Sequence, residues 1–153
     1  AALLTGRMPI GETYGIADTD VLITQRTEII FADCKITIFP GLTSGTDNEK
    51  SLSVLFQPGK RAILITGDQT VAGENALVAT GLPNLDYLVV GHHGSDTSTG
   101  ETLLSATRPL CAVISVGANN RYGHPDQTVL DRLAAYGCAV LRTDQNGTII
   151  IRG

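Results

Sequence analysis

The stretch from residue 62 to residue 95, AILITGDQTVAGENALVATGLPNLDYLVVGHHGS, decides the fold that we predict for this chain. Two apolar runs, 62–65 and 85–90, are each followed by polar residues, and the segment VAGENALVAT (71–80) between them has the pattern of a short helix that ends at Gly81. Strand, helix and strand in this order form a right-handed crossover between parallel strands. The carboxyl ends of both strands then lie at one edge of the sheet, where open α/β proteins bind ligands.

Polar side chains with ligand chemistry follow three predicted strands at this edge. Asp68 comes directly after the first strand, and His92 and His93 come directly after the second. A third apolar run, 111–116, is followed by GANNRYGHP, which contains His124. We therefore expect a carboxylate, imidazoles and amides to converge in one crevice.

Composition predicts one folded domain without an overall attraction to nucleic acid. The chain has 153 residues, 42% of them apolar, with a mean hydropathy of +0.13 and a net charge of −4. Any contact with a polyanion must therefore be local. No apolar run approaches the roughly 20 residues of a membrane-spanning helix, so we expect the fragment itself to be soluble. The cysteines Cys34, Cys111 and Cys138 match no metal or redox spacing, which favours buried reduced thiols.

The rest of the chain completes a mixed sheet covered by helices. Short runs rich in β-branched residues predict an antiparallel meander of three strands, at 21–24, 28–31 and 35–39. Turn signals predict two hairpins, one joining 51–56 to 61–66 and one joining 138–142 to 148–151 through the Asn-Gly pair at 146–147. Further helices are predicted at 97–106 and at 126–136. This order of elements is typical of an α/β fold with a mixed sheet.

The residues alone leave the chemistry of the edge open. Asp68 with His92 or His93 has the ligand types of a zinc or manganese site, but a catalytic zinc ion generally has three protein ligands. The two histidines could equally lie beside a site or on the surface. Asp68 could instead cap the helix that follows it.

Several motifs together resemble one protein family. They are SLSVLF (51–56), LITGD (64–68), VGHHGS (90–95) followed by Thr97 and Ser98, SVGANNRYGHP (115–125) and RTDQNGT (142–148). In this order they are similar to the metallo-β-lactamase-fold domain of ComEC-type competence proteins. The resemblance implies an αββα sandwich and a metal-dependent hydrolase with a two-ion zinc or manganese site. It also implies a nuclease that degrades one strand of DNA during uptake, located in an extracytoplasmic part of a membrane protein whose channel portion belongs to the same polypeptide.

The resemblance also implies roles for individual residues. Asp68 corresponds to the aspartate that bridges two ions, and the pair His92 and His93 covers the last ligand position, with His92 favoured as the ligand and His93 as a hydrogen-bonding neighbour. Asn48, twenty positions before Asp68, falls near where many relatives have another histidine ligand. His124 would hold a phosphate or protonate a leaving oxygen, or else brace its loop.

Substrate contacts are expected from Asn48, Ser95, Asn120 and Tyr122 in the same motifs. The superfamily signature HxHxDH is absent, whereas residues 1–4 resemble what usually follows it, so we expect the chain to begin just after the signature. The fragment would then lack ligands of the first ion, bind metal partially or not at all, and show little activity alone. Two alternatives remain open: a hydrolase of small esters or small phosphodiesters with the same fold, and a catalytically inactive binding module.

Overall fold

Seven strands form one mixed sheet whose spatial order follows the chain in the computed structural model, which describes residues 14–15 and 21–152. The antiparallel part consists of β3 (Thr27–Phe31), β4 (Cys34–Phe39), β5 (Ser53–Pro58) and β6 (Ile63–Ile65). The parallel part continues from β6 through β7 (Tyr87–Val89), β8 (Cys111–Ile114) and β9 (Ala139–Arg142). A separate parallel pair consists of β1 (Tyr14–Gly15) and β2 (Val21–Leu22).

The crossovers between the parallel strands are helical, as predicted. They contain α1 (Val71–Val78), α2 (Glu101–Thr107) and α3 (Gln127–Ala135), in that order, and α4 (Thr143–Asn146) follows β9. A 3₁₀ turn, Gly91–Gly94, follows β7 directly. The helix α3 has the ends that its sequence indicates, because the Asp126 carboxylate accepts a hydrogen bond from the Thr128 N–H and Gly137 follows with a φ of +68°.

The core lies between the helices and one face of the sheet. Alternation along the strands puts Leu64, Leu88 and Ala112 on this face, in register with one another, and all three are fully buried. The helices cover them with Leu77, Leu103, Leu104, Val129 and Leu133. Burying each of these leucines contributes roughly 2–3 kcal/mol. The packing fixes β6, β7 and β8 as parallel neighbours, and their carboxyl ends therefore share one edge.

Three details of the sequence interpretation were wrong. The run 21–24 does not belong to the meander, because Val21 and Leu22 pair with β1 in the separate small sheet. The run 148–151 is not a strand, and within the described residues β9 pairs only with β8. The Asn-Gly pair ends α4 instead of forming a hairpin, since a glycine with positive φ (Gly147, +67°) suits a helix end as well as a turn. All three cysteines are free, but only Cys138 is buried. The prediction for residues 1–4 lies outside the described residues.

Candidate functional site

The loops after β6 and β7 are joined by a backbone hydrogen bond. The N–H of His92 donates to the carbonyl of Gly67 over 3.0 Å, which places Asp68 beside the 3₁₀ turn. The Asp68 carboxylate is half-buried and makes no hydrogen bond or ion pair with any described residue. The N-cap of α1 is Thr70, so the interpretation of Asp68 as a helix cap was wrong. Asp68 is a carboxylate at the sheet edge without a structural partner in the described part of the chain.

Both histidines of the 3₁₀ turn have left-handed backbone conformations. His92 has φ 47° and ψ 42°, and His93 has φ 55° and ψ 20°. Such conformations cost a non-glycine residue roughly 1–2 kcal/mol each. The turn packs tightly against Thr66, the residue after β6, since a Cβ added to Gly91 would lie 2.8 Å from the Thr66 hydroxyl oxygen. Backbone strain that the surrounding structure maintains is a reason to look for function here.

The ring of His93 is oriented by Ser115, the residue that follows β8. Its Nδ1 lies 2.7 Å from the carbonyl oxygen of Ser115. A carbonyl only accepts hydrogen bonds, so Nδ1 carries the proton and Nε2 is left free. Metal-binding histidines are held in this same way by backbone carbonyls.

The ring of His92 is oriented differently. Its Nδ1 is buried and has no hydrogen-bond partner among the described residues. Its ring meets that of His124 edge to face, with the centroids 5.9 Å apart. A buried nitrogen without a partner costs about 1–3 kcal/mol unless a ligand or water satisfies it. His92 is therefore the imidazole with unused ligand capacity in the interior of the site.

The His124 loop, residues 117–125, is braced by Asn120. The amide of Asn120 donates to the carbonyls of Gly117 and His124 and accepts from the N–H groups of Tyr122 and His124. The Asp126 N–H donates to the Gly94 carbonyl over 2.8 Å, which joins this loop to the 3₁₀ turn. The rings of Tyr122 and His124 are nearly parallel, with centroids 5.9 Å apart and an interplanar angle of 15°.

A cavity of about 430 Å³ lies between the end of β8 and the His124 loop. Its lining residues are His93, Ser115, Val116, Gly117, Asn120, Tyr122, His124 and Thr143. The Thr143 hydroxyl donates to the Val116 carbonyl and accepts from the Val116 N–H, both over 2.8 Å. Sequence reasoning missed Thr143, although it lies in the RTDQNGT motif. Neither Asp68 nor His92 belongs to the lining, so the site has two adjoining parts.

Two predicted substrate contacts lie beside these parts. Asn48 is half-buried in a turn whose next residue, Glu49, accepts a hydrogen bond from the Thr70 hydroxyl over 3.3 Å, so this turn lies against the Asp68 loop. Ser95 is 5% exposed, and its hydroxyl lies 3.0 Å from that of Thr97. The structure thus places both near the edge, and their roles toward a substrate stay predictions.

A buried carboxylate that sequence reasoning missed holds the segment after the 3₁₀ turn. The Glu74 oxygens accept the N–H groups of Thr99 over 2.6 Å and of Gly100 over 2.7 Å. Burial raises the pKa of Glu74, against the opposing effects of these two N–H groups and of nearby Arg132. Arg132 also donates to the carbonyls of Ser98 and Thr99. No sequence signal distinguishes this helical glutamate from an exposed one.

The donors of the edge remain few within the described residues. In that part of the chain no cluster of three or more histidine, cysteine, aspartate and glutamate side chains is placed to hold a metal ion. None of the described helices is long and apolar enough to span a membrane.

Comparisons with known proteins identify relatives of this chain. No family model matches it. It is 46% identical over 107 residues to ComE operon protein 3 of Bacillus subtilis, with 69% of this chain and 14% of the relative covered. It is 43% identical over 105 residues to Competence protein ComA of Neisseria gonorrhoeae (67% of this chain, 15% of the relative), and 43% identical over 103 residues to Recombination protein 2 of Haemophilus influenzae (67% and 13%). The chain thus spans about one seventh of the length of these relatives.

A comparison of structures supports the same fold. The chain is similar to a mutant of CmlA beta-hydroxylase, a metallo-β-lactamase-fold enzyme, with a TM-score of 0.52 and 12% identity over 77% of this chain and 31% of that one. This likeness confirms the metallo-β-lactamase-like fold that the motifs implied. The described residues form a seven-stranded mixed sheet with helices in the crossovers between its parallel strands.

Proposed function

Because the chain is a homologue of a segment of ComEC-type competence proteins and has a metallo-β-lactamase-like fold, we propose that it is part of a metal-dependent phosphodiester hydrolase acting on DNA during uptake. One observation carries the proposal. Asp68 follows Gly67, whose carbonyl accepts the N–H of His92 at the carboxyl edge of parallel strands, and among the described residues neither the Asp68 carboxylate nor the buried Nδ1 of His92 has a partner. This edge is the usual ligand position in such sheets.

The residues present fit a metal ion in chemistry, and they fall short in number. Oxygen and imidazole nitrogen are the donors that zinc and manganese prefer, and the orphaned Nδ1 of His92 is ready to act as one. The described residues do not supply a third ligand of this kind. Asp68 and one imidazole, that of His92 or, through its free Nε2, that of His93, would therefore hold the ion together with donors from elsewhere.

Each residue at the edge then has a distinct task. A bound zinc or manganese ion would supply positive charge that polarises the phosphodiester. Asp68 would hold and orient the ion through its carboxylate. His124 faces the substrate, where it holds a phosphate oxygen or protonates the leaving oxygen. Asn120 acts through the loop that it braces, and Asn48 and Ser95 line the approach to the site.

The acidic chain needs local cations or other partners to attract DNA. Its net charge is −4, and Arg121 is an exposed cation beside the cavity. A membrane channel portion of the same polypeptide would direct the DNA to the site, with the hydrolase on the extracytoplasmic side. Single-stranded DNA would then reach the edge by passage from that channel.

Metal titration of the purified chain tests the ligand assignment. We expect Mn²⁺ or Zn²⁺ to bind weakly, and Asp68→Asn and His92→Gln each to reduce the affinity at least tenfold, since each removes a donor. The control is Asp33→Asn, an exposed carboxylate in the β3–β4 turn at the opposite end of the sheet. Equal affinities in all four proteins would remove Asp68 and His92 from the metal site.

Cleavage assays test the reaction itself. Labelled single-stranded DNA is incubated with Mn²⁺ and either the chain alone or the full product of its gene. We expect cleavage by the full product that EDTA and Asp68→Asn abolish, and little cleavage by the chain alone. Cleavage that survives both treatments would refute a metal-dependent mechanism at this edge. Robust, EDTA-sensitive cleavage by the chain alone would instead refute the expectation that ligands are missing from it.

Two features favour a second function, an inactive binding module: the described residues contain no three-ligand cluster, and the family resemblance puts Asn48 near the position of a histidine ligand. A full gene product that binds DNA, contains no metal by elemental analysis and cleaves nothing would establish this alternative. Cleavage of small phosphodiesters or esters with no effect on DNA would indicate a small-molecule hydrolase.

A further inference from the structure

The cavity beside the His124 loop is lined by apolar groups, hydroxyls, one amide and two imidazoles. Among the described residues that surround it there is no lysine, arginine, aspartate or glutamate. Arg121, whose guanidinium lies 4.8 Å from the Tyr122 ring centroid, is beside the cavity and is not one of its lining residues. The size of about 430 Å³ falls within the range of sites that enclose a small organic ligand. The lining chemistry therefore suits a neutral, largely apolar group with a few polar edges.

One wall of the cavity is an exposed aromatic ring. Tyr122 is 66% exposed, although the guanidinium of Arg121 lies 4.8 Å from its ring centroid and the ring of His124 runs parallel to it. Most of the tyrosine residue is thus exposed to solvent, and it borders the cavity. Exposed aromatic rings backed by arginine are the platforms on which single-stranded nucleic acids stack their bases.

The platform is rigid before any ligand binds. All four hydrogen-bonding positions of the Asn120 amide are used within the loop, and the loop is joined to the 3₁₀ turn through the Asp126 N–H and Gly94 carbonyl. Preorganisation of this kind reduces the entropy that binding must overcome. It also leaves Asn120 without free groups to read the edge of a base, so recognition should tolerate any base.

We propose that this cavity binds one unpaired nucleobase of single-stranded DNA, with the Tyr122 ring as its stacking surface. The choice of DNA as the ligand rests on the function proposed above. The description of the cavity as aromatic and free of lysine, arginine, aspartate and glutamate does not depend on that function. His124 lines the cavity and its ring contacts that of His92, so a nucleotide stacked here has its backbone beside the proposed hydrolytic residues. A base within a duplex cannot reach the ring, which makes the subsite selective for single strands.

Fluorescence anisotropy with a labelled 12-nucleotide oligomer tests the subsite in the presence of EDTA, where no hydrolysis occurs. We expect Tyr122→Ala to weaken single-strand binding by about 5- to 150-fold, the range that loss of one base–aromatic stack gives. Tyr122→Phe keeps the ring and should stay within about twofold of the unmodified chain. Tyr136→Ala is the matched control, since it removes a 40% exposed tyrosine from the end of α3. Binding of the duplex form should not change in any variant.

The outcomes separate this proposal from the proposed function. Unchanged single-strand binding by Tyr122→Ala overturns the subsite and leaves hydrolysis untouched. Weakened binding by this variant, together with a full gene product that never cleaves DNA, retains the subsite and removes the hydrolase. If Tyr122→Ala unfolds, thymidine titration of the unmodified chain followed by NMR decides: shifts of the Tyr122 and His124 ring signals support the subsite, and their absence at millimolar thymidine refutes it.

Discussion

Replacing Gly94 with alanine tests the joint between the 3₁₀ turn and the His124 loop. Gly94 has a φ of +85°, and a Cβ added there would lie 2.6 Å from the Cβ of Pro125 and 3.1 Å from its Cα. Pro125 is buried, and its ring cannot rotate away. The new methyl group must therefore move the backbone of one loop relative to the other.

A matched glycine separates the steric clash from the backbone strain. Gly81 has nearly the same φ, +84°, but no described atom lies within 4 Å of an added Cβ. Gly81→Ala should cost only the left-handed conformation, roughly 1–2 kcal/mol. Gly94→Ala adds the overpacking of a tight contact, roughly 1–3 kcal/mol more. The stabilisation that alanine gives through the unfolded chain applies to both variants and cancels in the comparison.

Thermal unfolding followed by circular dichroism measures the difference. For a chain of this length 1 kcal/mol shifts the Tm by about 2–4 °C, so Gly94→Ala should melt about 2–12 °C below Gly81→Ala. Gly94→Ala should also weaken single-strand binding, because Pro125 follows His124 at the cavity, and Gly81→Ala should not. Equal melting temperatures, within about 1 °C, would refute the close contact between Gly94 and Pro125 on which the proposed site depends.

Three further predictions concern the site and its support. In the full gene product, Asp68→Asn should reduce Mn²⁺-dependent DNA cleavage far more than His124→Ala does. If elemental analysis found that His124→Ala loses metal and Asp68→Asn keeps it, His124 would be the metal ligand and Asp68 would not. Burial raises the pKa of Glu74, so the folded chain binds a proton at this carboxylate at higher pH than the unfolded chain does. The free energy of unfolding of the unmodified chain, measured in urea relative to that of Glu74→Gln, should therefore increase as the pH falls from 7 toward 4.5. A difference that stays constant with pH would contradict this prediction. Thr143→Val removes the hydroxyl that the Val116 N–H needs and should lower the free energy of unfolding by about 1–3 kcal/mol, which a denaturant titration against Thr148→Val, an exposed position, would check.

Local patterns predicted the part of the fold that positions the site. The crossover over residues 62–95 and the parallel third strand were confirmed, since apolar runs bounded by turn residues dictate buried strands whatever lies around them. The helix α3 was confirmed for the same reason, with its aspartate cap and terminal glycine. The last hairpin was wrong because the decisive contact is distant in sequence: Thr143 bonds to Val116, and the chain after it turns into α4.

The candidate site was predictable in its residue types and not in its geometry. Adjacent histidines after a strand indicate a site, but the sequence GHHG does not predict that both histidines adopt left-handed backbone conformations. The burial of Glu74 was equally hidden, because its partners are backbone N–H groups of Thr99 and Gly100 that no side-chain pattern reveals. Hydrogen bonds between a side chain and backbone groups distant in sequence therefore cannot be predicted from local sequence patterns.

The left-handed turn explains how two adjacent histidines come to serve different parts of one site. The His92 N–H is bonded to Gly67 and its carbonyl to the N–H of Ser95, so the turn cannot relax without breaking bonds to both sides. Held in this way, His92 has a buried Nδ1 with no partner in the described part of the chain, whereas His93 donates to Ser115 and lines the cavity. An extended backbone would place consecutive side chains on opposite faces, with at most one of them at the edge. The left-handed backbone, at a cost of roughly 1–2 kcal/mol for each residue, is therefore what brings both imidazoles to the edge before a substrate arrives.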